Sequence, residues 1–234
     1  MLDFFLVLIP KYMPFLLQGA VVTLELSVIS MTAAVVIGLL VALGRLAPSR
    51  LLAGVLSAYV EIWRNVPLIV QLLVIYFSLP QFGITLPGFW AGVLGLSLNV
   101  GAYLSEVFRA AIISIDVGQK DAGLSIGMSR VTVYSRVILP QALRIAVPTI
   151  GGYFISLLKD SSLVSYIAVN ELLRNGTIVI SNTFKSMEIY LMVAIVYFVL
   201  SFIAARLVVR VERWLTPVYL RVGTVELARD VVPV

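Results

Sequence analysis

From Met13 to Gly44 the chain carries one charge, Glu25. A helix needs about 20 apolar residues to cross a bilayer core of about 30 Å, so this run predicts a membrane span. The composition agrees. Hydrophobic residues make up 61% and charged residues 12%, against about 45–50% and about 25% in a soluble domain, and mean hydropathy is +1.06. That leaves too little polar surface to cover a globule of 234 residues, which excludes a water-soluble enzyme.

The whole chain, 1–234, reads as one transmembrane domain with spans near 13–44, 51–79, 88–115, 145–170 and 187–210. From Leu51 to Ile115 only Glu61, Arg64, Glu106 and Arg109 are charged, and that stretch is too long for one helix. Pro80, Gly83, Pro87 and Gly88 divide it, because Pro and Gly punctuate turns. The segment 116–144 is mixed and charged and reads as a loop. The N-terminal segment does not read as a signal peptide: Asp3 stands where a basic region belongs, and Lys11 follows the apolar stretch. Its Phe4–Pro10 run reads as interfacial.

Orientation follows from charge. With five spans, one side holds Arg45, Arg50, Lys120, Arg130, Arg136, Arg144, Arg206, Arg210, Arg213, Arg221 and Arg229; the other holds Lys11, Arg174 and Lys185. The positive-inside rule puts the first set in the cytoplasm, the N-terminus outside and the C-terminus inside. The same rule accounts for the net charge of +5 without a nucleic-acid partner. Histidine and cysteine are absent, which excludes His or Cys metal sites, haem ligation, thiol catalysis and a disulfide scaffold. No internal repeat or low-complexity stretch occurs, which disfavours an inverted-repeat carrier.

Within 116–144, Leu124, Met128 and Val131 recur at i, i+4 and i+7, with Ile138 further on. This spacing predicts a helix. It suits either an interfacial amphipathic helix or a docking helix for a cytoplasmic partner.

Asp121-Ala122-Gly123, then Gly127, then Ile138-Leu139-Pro140 resembles the EAA motif of binding-protein-dependent ABC transporter permeases. Asp replaces the usual Glu and Gly123 the usual second Ala, so charge and small size are kept. Further residues are similar to the polar amino-acid uptake branch (histidine, glutamine, arginine and opine type). They are Gly19 with Thr23-Leu24-Glu25-Leu26-Ser27, then Tyr59, Glu61, Arg64, Pro67-Leu68 and Gln71-Leu72, then Ala102-Tyr103, Glu106 and Arg109. Leu139-Pro140-Gln141-Ala142 with Arg144, and Lys159-Asp160-Ser161-Ser162-Leu163, complete the series. Asn65-Val66 and Gly152 depart from it; at Gly152, where Asn is common, a polar contact is lost. The resemblance implies an all-α polytopic fold with five transmembrane helices and a cytoplasmic coupling-helix loop, the type I ABC importer permease fold. It also implies that Asp121, Ala122, Gly123, Gly127, Met128, Ile138 and Pro140 contact an ATPase subunit.

An ionisable residue at mid-bilayer costs about 2.5–3.5 kcal/mol on insertion scales and is a functional candidate by default. At 1.5 Å per residue, Glu61 and Arg64 fall near the midplane. Their i, i+3 spacing lets them meet on one face, either as a neutralising pair or as part of a cavity wall in which Arg64 takes a carboxylate. Gln71 lies two turns on from Arg64. Asn99, Tyr103 and Glu106 share a face, while Arg109 reads as snorkelling to the interface. Asp160, Ser161 and Ser162 suit a ligand ammonium, and Lys159 is expected to pair with Glu106 or Glu61. Asn175-Gly176-Thr177 matches a glycosylation sequon and is read as coincidence.

No G-x-x-x-x-G-K-[ST] occurs, so the chain has no P-loop. The resemblance therefore implies a permease rather than an enzyme, with no cofactor of its own and with ATP and Mg in a separate ATPase. It also implies a second permease copy or paralogue, a periplasmic solute-binding protein, an amino-acid substrate and a bacterial inner-membrane location. An ion-coupled secondary carrier using Glu61, Glu106 and Asp160 is the alternative, and it leaves the 121–140 loop unexplained. A non-transporting anchor leaves the mid-depth charges unexplained.

Overall fold

A computed structural model of the chain describes residues 8–215. Phe4–Val7, and Arg221 and Arg229 of the basic tail, lie outside the described residues. The regular structure among the described residues is helical, in the order α1 (Ile9–Arg45), α2 (Arg50–Asn65), α3 (Leu68–Ser78), α4 (Gly88–Ile113), α5 (Val117–Ser125), α6 (Arg130–Val133), α7 (Leu139–Asp160), α8 (Leu172–Thr183) and α9 (Ser186–Leu215). Among the described residues four segments are long and apolar enough to cross a membrane, and counting the bent pair α2–α3 as one span gives five.

The central pairing is α1 against α4, and small side chains permit it. Ser27, Ser30, Ala34, Gly38 and Ala42 of α1 are buried along one stripe. A Cβ at Gly38 would stand 2.8 Å from Leu104 Cβ and 3.1 Å from the Gly101 carbonyl, so the backbones touch there. Without a hydrophobic force between helices in lipid, such close packing supplies the association energy. A hydrogen bond from Ser97 Oγ to the Ser30 carbonyl (3.2 Å) crosses the same seam. Around this axis α3 and the 3-10 turn Ser161–Ile167 pack at one level, centred on Leu72, Leu96 and Val164. The amino-terminal turns of α1 pack with α8 and α9 at another, around Leu16, Leu172 and Ile189.

Two expectations change, and one unassigned stretch gains structure. The segment 51–79 is not one straight helix: Val66 and Pro67 are extended (ψ 134° and 135°) and α2 and α3 meet at 107°. Proline lacks an N–H and disfavours the helical region for the residue before it. The helix predicted through Leu124, Met128 and Val131 is also broken. Gly127 adopts φ +84°, and Met128 N–H donates to the Gly123 carbonyl (3.1 Å) while Gly127 N–H donates to the Leu124 carbonyl (3.0 Å). This is a Schellman ending, and Ser129 then caps α6. Finally, the stretch between the last two spans folds into α8. Asn175 there is buried and donates to the Phe15 carbonyl (2.8 Å), so the sequon is out of reach of modification.

Beyond α6 the chain does not restart. A π turn over Tyr134–Ile138 joins α6 to α7, and the 3-10 turn Ser161–Ile167 extends α7. Residues 130–167 therefore form one continuous helical rod from the loop into the core.

Candidate functional site

The break at Pro67 frees the last carbonyls of α2, and in lipid these need partners. Gln71 Nε2 donates to the Trp63 and Val66 carbonyls, both at 2.9 Å. Asn99 Nδ2 donates to the Trp63 carbonyl and to Gln71 Oε1, both at 3.0 Å. Tyr103 Oη donates to the Arg64 carbonyl (3.1 Å). Two of these side chains come from α4, so α4 holds the bend in place.

Beside the bend is a cavity of about 400 Å³, lined from α2 by Arg64 and Asn65, from α4 by Asn99 and Tyr103, and from α7 by Tyr153, Ser156 and Asp160. The Arg64 guanidinium lies over the Tyr103 ring, 5.4 Å from its centroid, and the Tyr103 and Tyr153 rings are 5.8 Å apart. One wall thus carries a cation and another an anion, with aromatic faces between them. A space of this size suits a small ligand with both charges.

Of the ten residues expected to line a cavity, Arg64, Asn99, Tyr103 and Asp160 do so. Gln71 sits behind it with its amide engaged in stapling the bend. Ser161 is buried and its hydroxyl donates to the Leu158 carbonyl (2.8 Å). Glu61 does not meet Arg64; one of its carboxylate oxygens takes the Asn65 amide at 3.1 Å. Ser162 and Lys159 are outside the lining. The expected pairing of Lys159 with Glu106 or Glu61 is not formed, because Glu106 is surrounded by arginines. Arg109 donates to Glu106 from Nε (3.0 Å) and Nη2 (2.8 Å), Arg45 donates to its other oxygen, and Arg64 Nη1 stands 3.9 Å away. Arg109 therefore does not snorkel away. Asn65, Tyr153 and Ser156 were not anticipated, although Tyr153, Ser156 and Asp160 recur at i, i+3 and i+7.

Glu171, also unanticipated, is fully buried and caps α8 through the Leu173 and Arg174 amides (2.9 and 2.7 Å), and Tyr197 Oη donates to it at 2.7 Å. Burial raises its carboxyl above the usual range, and these hydrogen bonds partly offset the rise.

At the loop, Asp116 caps α5 by accepting from Gly118 N–H (2.6 Å). Asp121 and Ala122 are exposed on α5, and Leu124, Ile126 and Val131 present apolar surface beside them. Gly123 faces inward; a Cβ there would stand 2.9 Å from Val133. Met128 packs partly buried against the core that contains Ile138, and Pro140 opens α7. The loop is thus a short exposed helix fixed to the end of the 130–167 rod.

Residues 34–217 match the family described as the binding-protein-dependent transport system inner membrane component. The chain is 40% identical over 204 residues to the L-cystine transport system permease protein TcyB of Bacillus subtilis (strain 168), covering 87% of each. It is 37% identical over 202 residues to the glutamine transport system permease protein GlnP of Escherichia coli (strain K12), covering 86% of this chain and 92% of that one. Among solved structures, that of an amino acid ABC transporter with histidines superposes with a TM-score of 0.81 at 38% identity, over 88% of this chain and 96% of that chain. The MetNI methionine ABC transporter, at 23% identity and a TM-score of 0.76, shares the fold.

Proposed function

Because the chain belongs to the family of binding-protein-dependent transport inner membrane components, we propose that it is the membrane subunit of an ATP-driven importer whose cargo is an amino acid. The observation that carries the reading is the cavity at the bent span, with Arg64 and Asp160 on its walls. Arg64 receives the α-carboxylate, which its forked guanidinium matches. Asp160 receives the ammonium, and Tyr103 and Tyr153 flank the side chain. Relatives named for L-cystine and for glutamine support the amino-acid class.

The partners in this reading are an ATPase that holds ATP and Mg, a second permease copy or paralogue, and a periplasmic solute-binding protein. The chain itself needs no cofactor. The arginine-rich ends, including Arg45, Arg130 and Arg210, lie in the cytoplasm, and the N-terminus is periplasmic. The exposed face of α5 docks on the ATPase. Movement there is carried by the rod from Arg130 to Asp160, which spans roughly 45 Å at 1.5 Å per residue. An ion-coupled carrier would leave the exposed apolar face of α5 without a role.

The test is ATP hydrolysis and uptake in liposomes containing the permease, its neighbouring ATPase and the solute-binding protein, against a panel of amino acids. ATP-dependent uptake of at least one amino acid is expected. Arg64→Ala and Asp160→Asn should each raise the solute level for half-maximal uptake on the order of tenfold or more, the size of a lost charged hydrogen bond. Uptake driven by an ion gradient without ATP would overturn the reading.

A further inference from the structure

A second cavity, of about 580 Å³, opens where the α1–α2 turn meets α5, α6 and the start of α7. Partly buried Leu43, Leu46 and Leu139 make its floor apolar, and its mouth carries Lys120, Arg130 and the exposed Val131. No carboxylate lines it. Among the described residues neither cation makes an ion pair, because all three ion pairs converge on Glu106. Lys120 is half-buried against this apolar wall, and a cation so placed calls for an anion. Ser135 at the same mouth adds a hydroxyl donor.

The floor leads toward lipid. Val36, Leu40 and Leu43 follow one another at i, i+4 and i+7 on α1, and Val36 and Leu40 are 54% and 63% exposed on a helix apolar enough to span the bilayer. An occupant must therefore be anionic at the mouth and apolar along the stripe that runs from the groove into the membrane. We propose that this groove holds one anionic phospholipid of the arginine-rich, cytoplasmic leaflet, its phosphate between Lys120 and Arg130 and an acyl chain along Leu43, Leu40 and Val36. A phospholipid so held lies directly behind α5, because Lys120 belongs to that helix, and it braces the docking helix against the membrane plane. The site is separate from the Arg64–Asp160 cavity, and its test does not depend on what is transported.

The test is native mass spectrometry of the delipidated permease–ATPase complex, titrated with palmitoyl-oleoyl phosphatidylglycerol or the matching phosphatidylcholine. The wild type should retain one phosphatidylglycerol per permease chain in preference to phosphatidylcholine. Lys120→Gln with Arg130→Gln should weaken that retention on the order of thirtyfold, from two lost interfacial cations. Leu43→Trp, which fills the floor and keeps both cations, should expel the lipid as well. Lys11→Gln with Lys185→Gln, on the opposite side, should leave retention unchanged. Equal retention of the two lipids by the wild type would overturn the proposal, as would a preference that survives in both groove variants. Displacement of the lipid by inorganic phosphate at matched concentration would assign the groove to a soluble anion instead, and a lost dimer mass in the groove variants would assign it to a second copy.

Discussion

Gln71 separates two accounts of the bent span. If its amide only staples the bend, Gln71→Leu removes three hydrogen bonds: two donated, to Trp63 and Val66, and one accepted from Asn99. Interhelical hydrogen bonds in membrane proteins average about 0.6 kcal/mol, so their direct loss is worth about 2 kcal/mol. The Val66 carbonyl is left without a side-chain partner and the Asn99 amide loses one of its two acceptors, which adds a further cost on the order of 1–3 kcal/mol. For a chain of this size each kcal/mol shifts the melting temperature by about 2–4 °C, so a fall on the order of 6–20 °C is expected. The assay is thermal unfolding of the purified complex, followed by loss of the monodisperse peak, alongside uptake kinetics in liposomes. KM should change little, because Gln71 does not line the cavity. The double variant Gln71→Leu, Asn99→Leu should cost less than the two single variants together, since both remove the same Asn99–Gln71 bond. A Gln71→Leu variant with unchanged melting temperature and a tenfold higher KM would refute the staple and make Gln71 a ligand.

Gly127→Ala forces a Cβ into the left-handed region (φ +84°), at about 1–2 kcal/mol. It should lower uptake per ATP hydrolysed while solute binding to the periplasmic protein is unchanged, measured as coupled and basal hydrolysis. Gly38→Leu places a Cβ 2.8 Å from Leu104 Cβ on the α1–α4 seam, and no folded protein should be recovered in detergent, whereas Gly54→Leu, where a Cβ meets nothing, should be recovered normally. The chain has no cysteine, so spin labels at Asn65→Cys and Ser156→Cys report only on the two walls of the cavity. Their distance should differ between nucleotide-free and ATP-bound complexes; an identical distance distribution in both would contradict movement of the rod.

The parts of the fold that sequence reading reached are those set by local chemistry. Apolar runs mark spans because each side chain meets lipid or core on its own account, and Pro80 to Gly88 mark a turn because they act on their own backbone. The bend at Pro67 escaped, although Pro67 is plain in the sequence, because a proline within a span permits a kink but does not set its size. The 107° angle depends on Gln71, Asn99 and Tyr103 accommodating freed carbonyls, and two of these lie more than thirty residues away. Helix α8 escaped for a similar reason: its cap is Glu171, a lone acid whose burial depends on Tyr197 from another helix. At the cavity, Arg64 and Asp160 stood out as charges in apolar sequence. Ser156 and Tyr153 did not, because only their register with Asp160 on α7 gives them a role.

These contacts divide the cavity between two attachments. Arg64 stands 3.9 Å from Glu106, whose carboxylate takes Arg45 from α1 and Arg109 from α4, and its carbonyl accepts from Tyr103. The cationic wall thus belongs to the α1–α2–α4 unit, tied by one acid and packed along a small-residue seam that leaves little room for sliding. Asp160 belongs instead to the rod that begins beside α5, where Gly123 presses on Val133. A closely packed contact with no Cβ between transmits displacement rather than absorbing it. In the proposed importer, force applied to α5 enters the rod that carries Asp160, and a ligand bridging Arg64 and Asp160 loses one partner when the rod moves away from the α1–α2–α4 unit.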